Sequence, residues 1–139
     1  MQSAVSCLSF SADAESMYVG SEGGTAYMWD LKTSKEIGKL RGHLANCQVV
    51  YGDDSNGNMV ITGSKDTNVK VWDIRSKTAV NTFKEHQGPI SCVRLSPDSK
   101  WAASGSEDGC LKIWNLSTNE VYANFYHPDQ TVTCCEFNP

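Results

Sequence analysis

The residues of this 139-residue chain that could do chemistry are few: three histidines, two of them followed by aspartates, and six cysteines. His43 precedes Asp66, and His86 precedes Asp108, at nearly the same interval. An imidazole beside a carboxylate is the usual core of a general acid–base pair. Around these pairs the chain offers no Gly-x-Ser-x-Gly, no Gly-x4-Gly-Lys-Ser/Thr and no His-Glu-x-x-His pattern. Gly20-Ser21-Glu22-Gly23-Gly24 is rich enough in glycine to wrap a phosphate, but it reads as a hairpin turn. No helix follows it to present its N-terminus to an anion. The cysteines lack Cys-x-x-Cys spacing and a histidine-rich companion, which excludes a zinc site. Cys7, Cys92 and Cys134 each fall mid-strand, where a small apolar side chain packs. No catalytic, cofactor or metal residue is therefore assigned, and no enzyme activity is expected.

Charge and composition narrow the class further. The net charge is −4, so the basic face that nucleic acid requires is missing. No apolar run approaches the roughly 18 residues that span a bilayer. Met1-Gln2-Ser3-Ala4 does not start a basic n-region, so no secretory leader is expected, and Asn115-Leu116-Ser117 carries no weight as a glycosylation sequon. The expected partners are other proteins, with no nucleic acid, membrane or small-molecule substrate.

The elements that hold these residues repeat. Gly63–Arg75, GSKDTNVKVWDIR, reads as strand, tight turn and strand. GSEDGCLKIWNL from Gly105 and the looser GSEGGTAYMWDL from Gly20 are further copies. Trp29, Trp72 and Trp114 stand 43 and 42 residues apart, and His43, His86 and His127 stand 43 and 41 apart. Two markers keeping one period of about 40–45 residues indicate propeller blades. Strands are expected at Val5–Phe10, Met17–Gly20, Ala26–Asp30 and Glu36–Leu40, then at Cys47–Tyr51, Met59–Ser64, Val69–Asp73 and Ala79–Phe83. A third set falls at Ile90–Leu95, Trp101–Ser106, Leu111–Asn115 and Val121–Phe125, with a lone strand at Thr131–Phe137. Between Tyr51 and Met59 the turn is long and polar. No stretch keeps a helical period.

On the Gly-His and Trp-Asp markers the chain resembles the WD-repeat family, over essentially its whole length. The resemblance implies an all-β, partial β-propeller. It has three four-stranded antiparallel blades, at about residues 4–40, 41–83 and 84–125, and the first strand of a fourth at 131–137. The whole of 1–139 is then one partial domain, expected to be an excerpt of a longer propeller, seven blades being usual in the family. In that family a loop histidine, a strand hydroxyl, a turn aspartate and the tryptophan form one hydrogen-bonded chain. His43, Thr62, Asp66 and Trp72 match it, and so do His86, Ser104, Asp108 and Trp114. Val19 and Gly23 replace the hydroxyl and the aspartate in the first unit, so Trp29 is expected to stand outside such a network. The repeat thus supplies a structural role for the His–Asp pairs.

Within the family, GS-x-DTN-x-K-x-WDIR, Gly42-His43 with Ala45-Asn46, and Ser96–Trp101 are similar to the regulatory subunits of katanin, the microtubule-severing enzyme. That resemblance implies a non-enzymatic scaffold that targets or restrains a severing ATPase. Its partners would be the katanin catalytic subunit and microtubule-associated proteins, and its location cytoplasmic and cytoskeletal, at centrosomes or spindle poles. Trp72-Asp73-Ile74-Arg75 also fits the Trp-Asp-x-Arg box of cullin–RING ligase substrate receptors, in which Arg75 would meet a ligase adaptor. Besides Arg75, the loop residues Arg41, Lys65, Lys84 and Glu85 are candidate partner contacts, though solvated charge explains each as well.

Overall fold

The structure, a computed structural model, describes residues 4–11, 14–43, 45, 47–52 (backbone alone for 48–52), 59–84, 86–96, 98 and 100–126. The expected strand at 131–137, the polar turn at 53–58, Glu85, His127 and Cys134 lie outside the described residues.

Among the described residues twelve strands follow one another: β1 (Val5–Phe10), β2 (Ser16–Ser21), β3 (Ala26–Asp30), β4 (Lys35–Leu40), β5 (Cys47–Gly52), β6 (Met59–Ser64), β7 (Val69–Asp73), β8 (Thr78–Phe83), β9 (Ile90–Leu95), β10 (Trp101–Ser106), β11 (Cys110–Asn115) and β12 (Glu120–Tyr126). They form three four-stranded antiparallel meanders, β1–β4, β5–β8 and β9–β12, each in sequence order. The local chemistry sets this pattern. β-branched and aromatic residues fill the strands, while Asp, Asn, Gly, Ser and Thr fill the connections. Where strand ends differ from the expectation, they run one residue longer, because backbone pairing continues into polar turn residues such as Ser21, Lys35 and Glu120.

The two faces of the second sheet are buried against different neighbours. Tyr18, Ala26, Met28 and Leu40 of the first sheet pack with Val60 and Trp72 of the second. Ile61, Val69, Val71 and Phe83 of the second pack with Ile90, Val93, Leu95, Ala102 and Trp114 of the third. Phe83 and Trp114 stack with centroids 4.2 Å apart. The second sheet is therefore covered on both faces, as period-2 alternation requires of a middle layer. In all three sheets the pairing of the third and fourth strands slips beside the tryptophan, at Met28/Trp29, Val71/Trp72 and Ile113/Trp114. Such bulges bend a strand and re-aim its side chain.

Candidate functional site

Thr62 is the hinge of the second sheet's polar cluster. It lies on β6 opposite Lys70 and is fully buried. The indole Nε1–H of Trp72 donates to Thr62 Oγ1 at 2.8 Å. Thr62 Oγ1 and His43 Nε2 are 2.7 Å apart, and His43 Nδ1 lies 3.0 Å from Asp66 Oδ2. Asp66 accepts only, so it takes the Nδ1 proton, and Nε2 is left to accept from the threonine hydroxyl. One direction of donation thus runs Trp72, Thr62, His43, Asp66. The Asp66 carboxylate ends the chain by accepting the Asn68 amide at 2.9 Å. Burial lowers the His43 pKa, and the charge and hydrogen bond of Asp66 oppose this without overcoming it. A neutral imidazole locked between two internal partners has no free nitrogen for a substrate.

The third sheet repeats half of this. Trp114 Nε1–H donates to Ser104 Oγ at 2.8 Å, and Ser104 Oγ is 2.7 Å from His86 Nε2. His86 Nδ1, however, stands 3.9 Å from Asp108 Oδ2, and this buried nitrogen has no hydrogen-bond partner among the described residues. Asp108 is turned toward its own loop, where it accepts the backbone amides of Gln87 at 2.8 Å and Cys110 at 2.9 Å. His86 is pushed down to about 4, chiefly by burial. Burial works to raise Asp108, but the Gln87 and Cys110 amides bring it below the ordinary carboxylate value. The four residues of the third set are thus brought together without the His–Asp hydrogen bond.

In the first sheet Val19 is buried at the hydroxyl position, and Gly23 occupies the aspartate position in an exposed turn. Trp29 is only half-buried, against 1% exposure for Trp72 and 2% for Trp114.

The candidate partner residues are spread out. Arg41, Lys65, Arg75 and Lys84 are exposed. Arg75 lies in the turn after β7, its backbone amide donating to Asp73 Oδ1 and its Nε 3.7 Å from the same oxygen. Cys92 is buried as a packing cysteine should be, while Cys7 is only partly buried and Cys47, in β5, is fully buried. Sequence reasoning missed a cleft of about 310 Å³ beside β11 and β12, lined by Gln87, Asp108, Cys110, Lys112, Asn124 and Tyr126. The signal that could have found it is Lys112, a charged residue in an otherwise core-like strand.

Consecutive four-stranded meanders, the second and third each pivoting on a buried tryptophan, define a β-propeller segment. The WD domain, G-beta repeat family (WD40) matches residues 2–30, 34–73 and 77–115, and the chain belongs to that family. It is 33% identical over 150 residues to a guanine nucleotide-binding protein subunit beta of Zea mays, covering 96% of this chain and 39% of that protein. It is 29% identical over 135 residues to a U3 small nucleolar RNA-associated protein 15 homolog of Gallus gallus, covering 97% of this chain and 26% of that protein. Among solved structures, that of U3-55K superposes with a TM-score of 0.89 at 16% identity, over 96% of this chain and 42% of the other. The RRP9 WD40 repeats superpose at 0.88, also at 16% identity and over the same shares. The chain thus spans about two fifths or less of each of these proteins' length.

Two expectations change on these findings. None of these relatives is a katanin subunit, so the resemblance stands at the level of the repeat family. The cytoplasmic, cytoskeletal location at centrosomes or spindle poles is overturned. It rested on katanin alone, and the relatives found are named as G-protein beta subunits and a U3 small nucleolar RNA-associated protein homolog.

Proposed function

We propose that this chain is a non-enzymatic protein-interaction scaffold. The observation that carries the reading is the fate of its His–Asp pair. His43 and Asp66 are joined to a buried indole through Thr62, so their hydrogen-bonding capacity is used in holding a blade together. The side chains left free to meet a partner are the exposed loop cations, Arg41, Lys65, Arg75 and Lys84. Relatives named as G-protein beta subunits, which are parts of larger assemblies by name, support the same reading.

Two finer readings differ in the partner. A katanin-type regulatory subunit, binding the catalytic ATPase subunit or microtubule-associated proteins, is supported by Gly63–Arg75. A ligase substrate receptor is supported by Trp72-Asp73-Ile74-Arg75 together with the 76% exposure of the Arg75 side chain. A planar guanidinium at a blade edge suits a bidentate carboxylate partner.

The discriminating experiment is co-precipitation of the full-length protein, wild type and Arg75→Ala, with a cullin–RING adaptor and with the katanin catalytic subunit. On the receptor reading Arg75→Ala abolishes adaptor capture and Arg75→Lys restores part of it. On the katanin-type reading catalytic-subunit capture persists in both variants. ATP hydrolysis by the purified chain, abolished by a point change in it, would overturn the scaffold reading itself.

A further inference from the structure

The third sheet contains a largely buried lysine with no hydrogen bond or ion pair among the described residues. Lys112 occupies the place that Lys70 holds in the second sheet: Lys70 pairs across to Thr82, Lys112 to Asn124. Lys70 is provided for internally. Its Nζ donates to Thr82 Oγ1 at 3.1 Å and lies 6.0 Å from the Trp72 ring centroid. Lys112 is buried to 6% exposure, yet it makes no hydrogen bond or ion pair among the described residues. Its stem is packed away while its side chain lines the 310 Å³ cleft between β11, β12 and the Gln87 loop, so its ammonium is left to meet what enters there.

Gln87 and Asn124 bring amides and Tyr126 a phenol, each able to donate, while the Cys110 thiol is already turned to Asp108. The single carboxylate at its edge, Asp108, already accepts two backbone amides. Asp108 is also the residue that fails to reach His86, so the buried His86 Nδ1 goes unpaired among the described residues at the same end of the sheet. The corresponding end of the second sheet is closed by the His43–Asp66 bond.

We propose that this cleft is a carboxylate-binding site in which an acidic group enters between Gln87 and Asn124 and pairs with Lys112. The volume suits a side chain or a small acid rather than a folded element. Identifying the acid as a partner's glutamate or aspartate rests on the scaffold reading, whereas the pairing with Lys112 does not.

The test uses the full chain with lysine side chains labelled with carbon-13 for NMR, read at the Cε position. It is titrated with a capped Gly/Ser peptide bearing one glutamate, with the same peptide bearing glutamine, and with succinate. The glutamate peptide should shift the Lys112 signal saturably while the glutamine peptide leaves it in place. Lys112→Met should weaken the glutamate peptide by about tenfold or more, as loss of one member of a buried charge pair does. Should Lys112→Met fail to fold, Asn124→Leu, on the exposed outer strand, blocks the same cleft and should weaken binding likewise. Saturable binding of succinate with no gain from the peptide supports the site and turns its source to a free acid, against the scaffold reading. Equal responses to glutamate and glutamine, undiminished binding to both variants, or no saturable response to any carboxylate would overturn the proposal.

Discussion

At the scale of single residues, one hydroxyl decides whether a tryptophan can be buried. Thr62 and Ser104 each accept an indole N–H and contact a histidine, and each stands where Trp72 or Trp114 needs a partner. An unpaired indole donor in a dry core costs about 1–3 kcal/mol. The histidines share this burial but differ in closure, and pH reads the difference. The folded-state pKa of His86 is about 4, below its ordinary 6.5. Between those values the unfolded chain binds a proton that the folded chain refuses. Stability is therefore fully present above the ordinary value and falls as pH drops through the window. Near pH 5 the loss should be about 2 kcal/mol from this group alone. Urea midpoints at about pH 7 and pH 5 should separate in the wild type and draw together in His86→Gln. A midpoint that rises on acidification contradicts the assignment. His43, also lowered by burial, adds in the same direction.

The element of interest is the turn that follows each second strand. Ser21–Gly24, Ser64–Thr67 and Ser106–Gly109 are equivalent, with an amide-to-carbonyl bond from the last residue to the first. The last residue has positive φ in all three: Gly24 at 91°, Thr67 at 73° and Gly109 at 87°. Glycine adopts that region freely, but a β-branched threonine is strained there. The second sheet thus combines the most complete polar network with the least suitable turn residue. Thr67→Asn should stabilise the chain by about 1 kcal/mol, because asparagine tolerates the left-handed region. A lowered urea midpoint in this variant would show that Thr67 makes compensating contacts.

For the whole molecule, the sequence repeat and the structural unit are out of phase. The family match at 34–73 begins beside β4 of the first sheet and ends with β7 of the second. The matches at 34–73 and 77–115 therefore each bridge two sheets, and the clusters around Trp72 and Trp114 join neighbours in the same way. Stability in such arrays is shared between units and their interfaces. The second sheet has both faces covered. The first leaves Leu8 and Phe10 more than half exposed on the face that also carries Met17 and Trp29. Amide exchange should consequently be slowest in β6 and β7 and faster in β1 to β4. Exchange slowest in the first sheet would refute this ordering.

What the sequence determined by itself was the repeating part. The period of the tryptophans and histidines, the alternation within strands and the turn residues are local and recur, so each copy supports the others. The two polar sets were legible because matching residue types, with Ser104 in place of Thr62, returned at nearly the same offsets. The empty hydroxyl and aspartate positions at Val19 and Gly23 were legible for the same reason. Tertiary structure decided what repetition conceals. His43 and His86 look alike in sequence, yet one is bonded to its aspartate and the other lies 3.9 Å from its own. Lys70 and Lys112 also look alike, yet only the first has Thr82 to receive its proton. These outcomes depend on the cross-strand partner and on which backbone amides reach a carboxylate first. Both are set by packing between segments about 10–20 residues apart, and no local pattern encodes them.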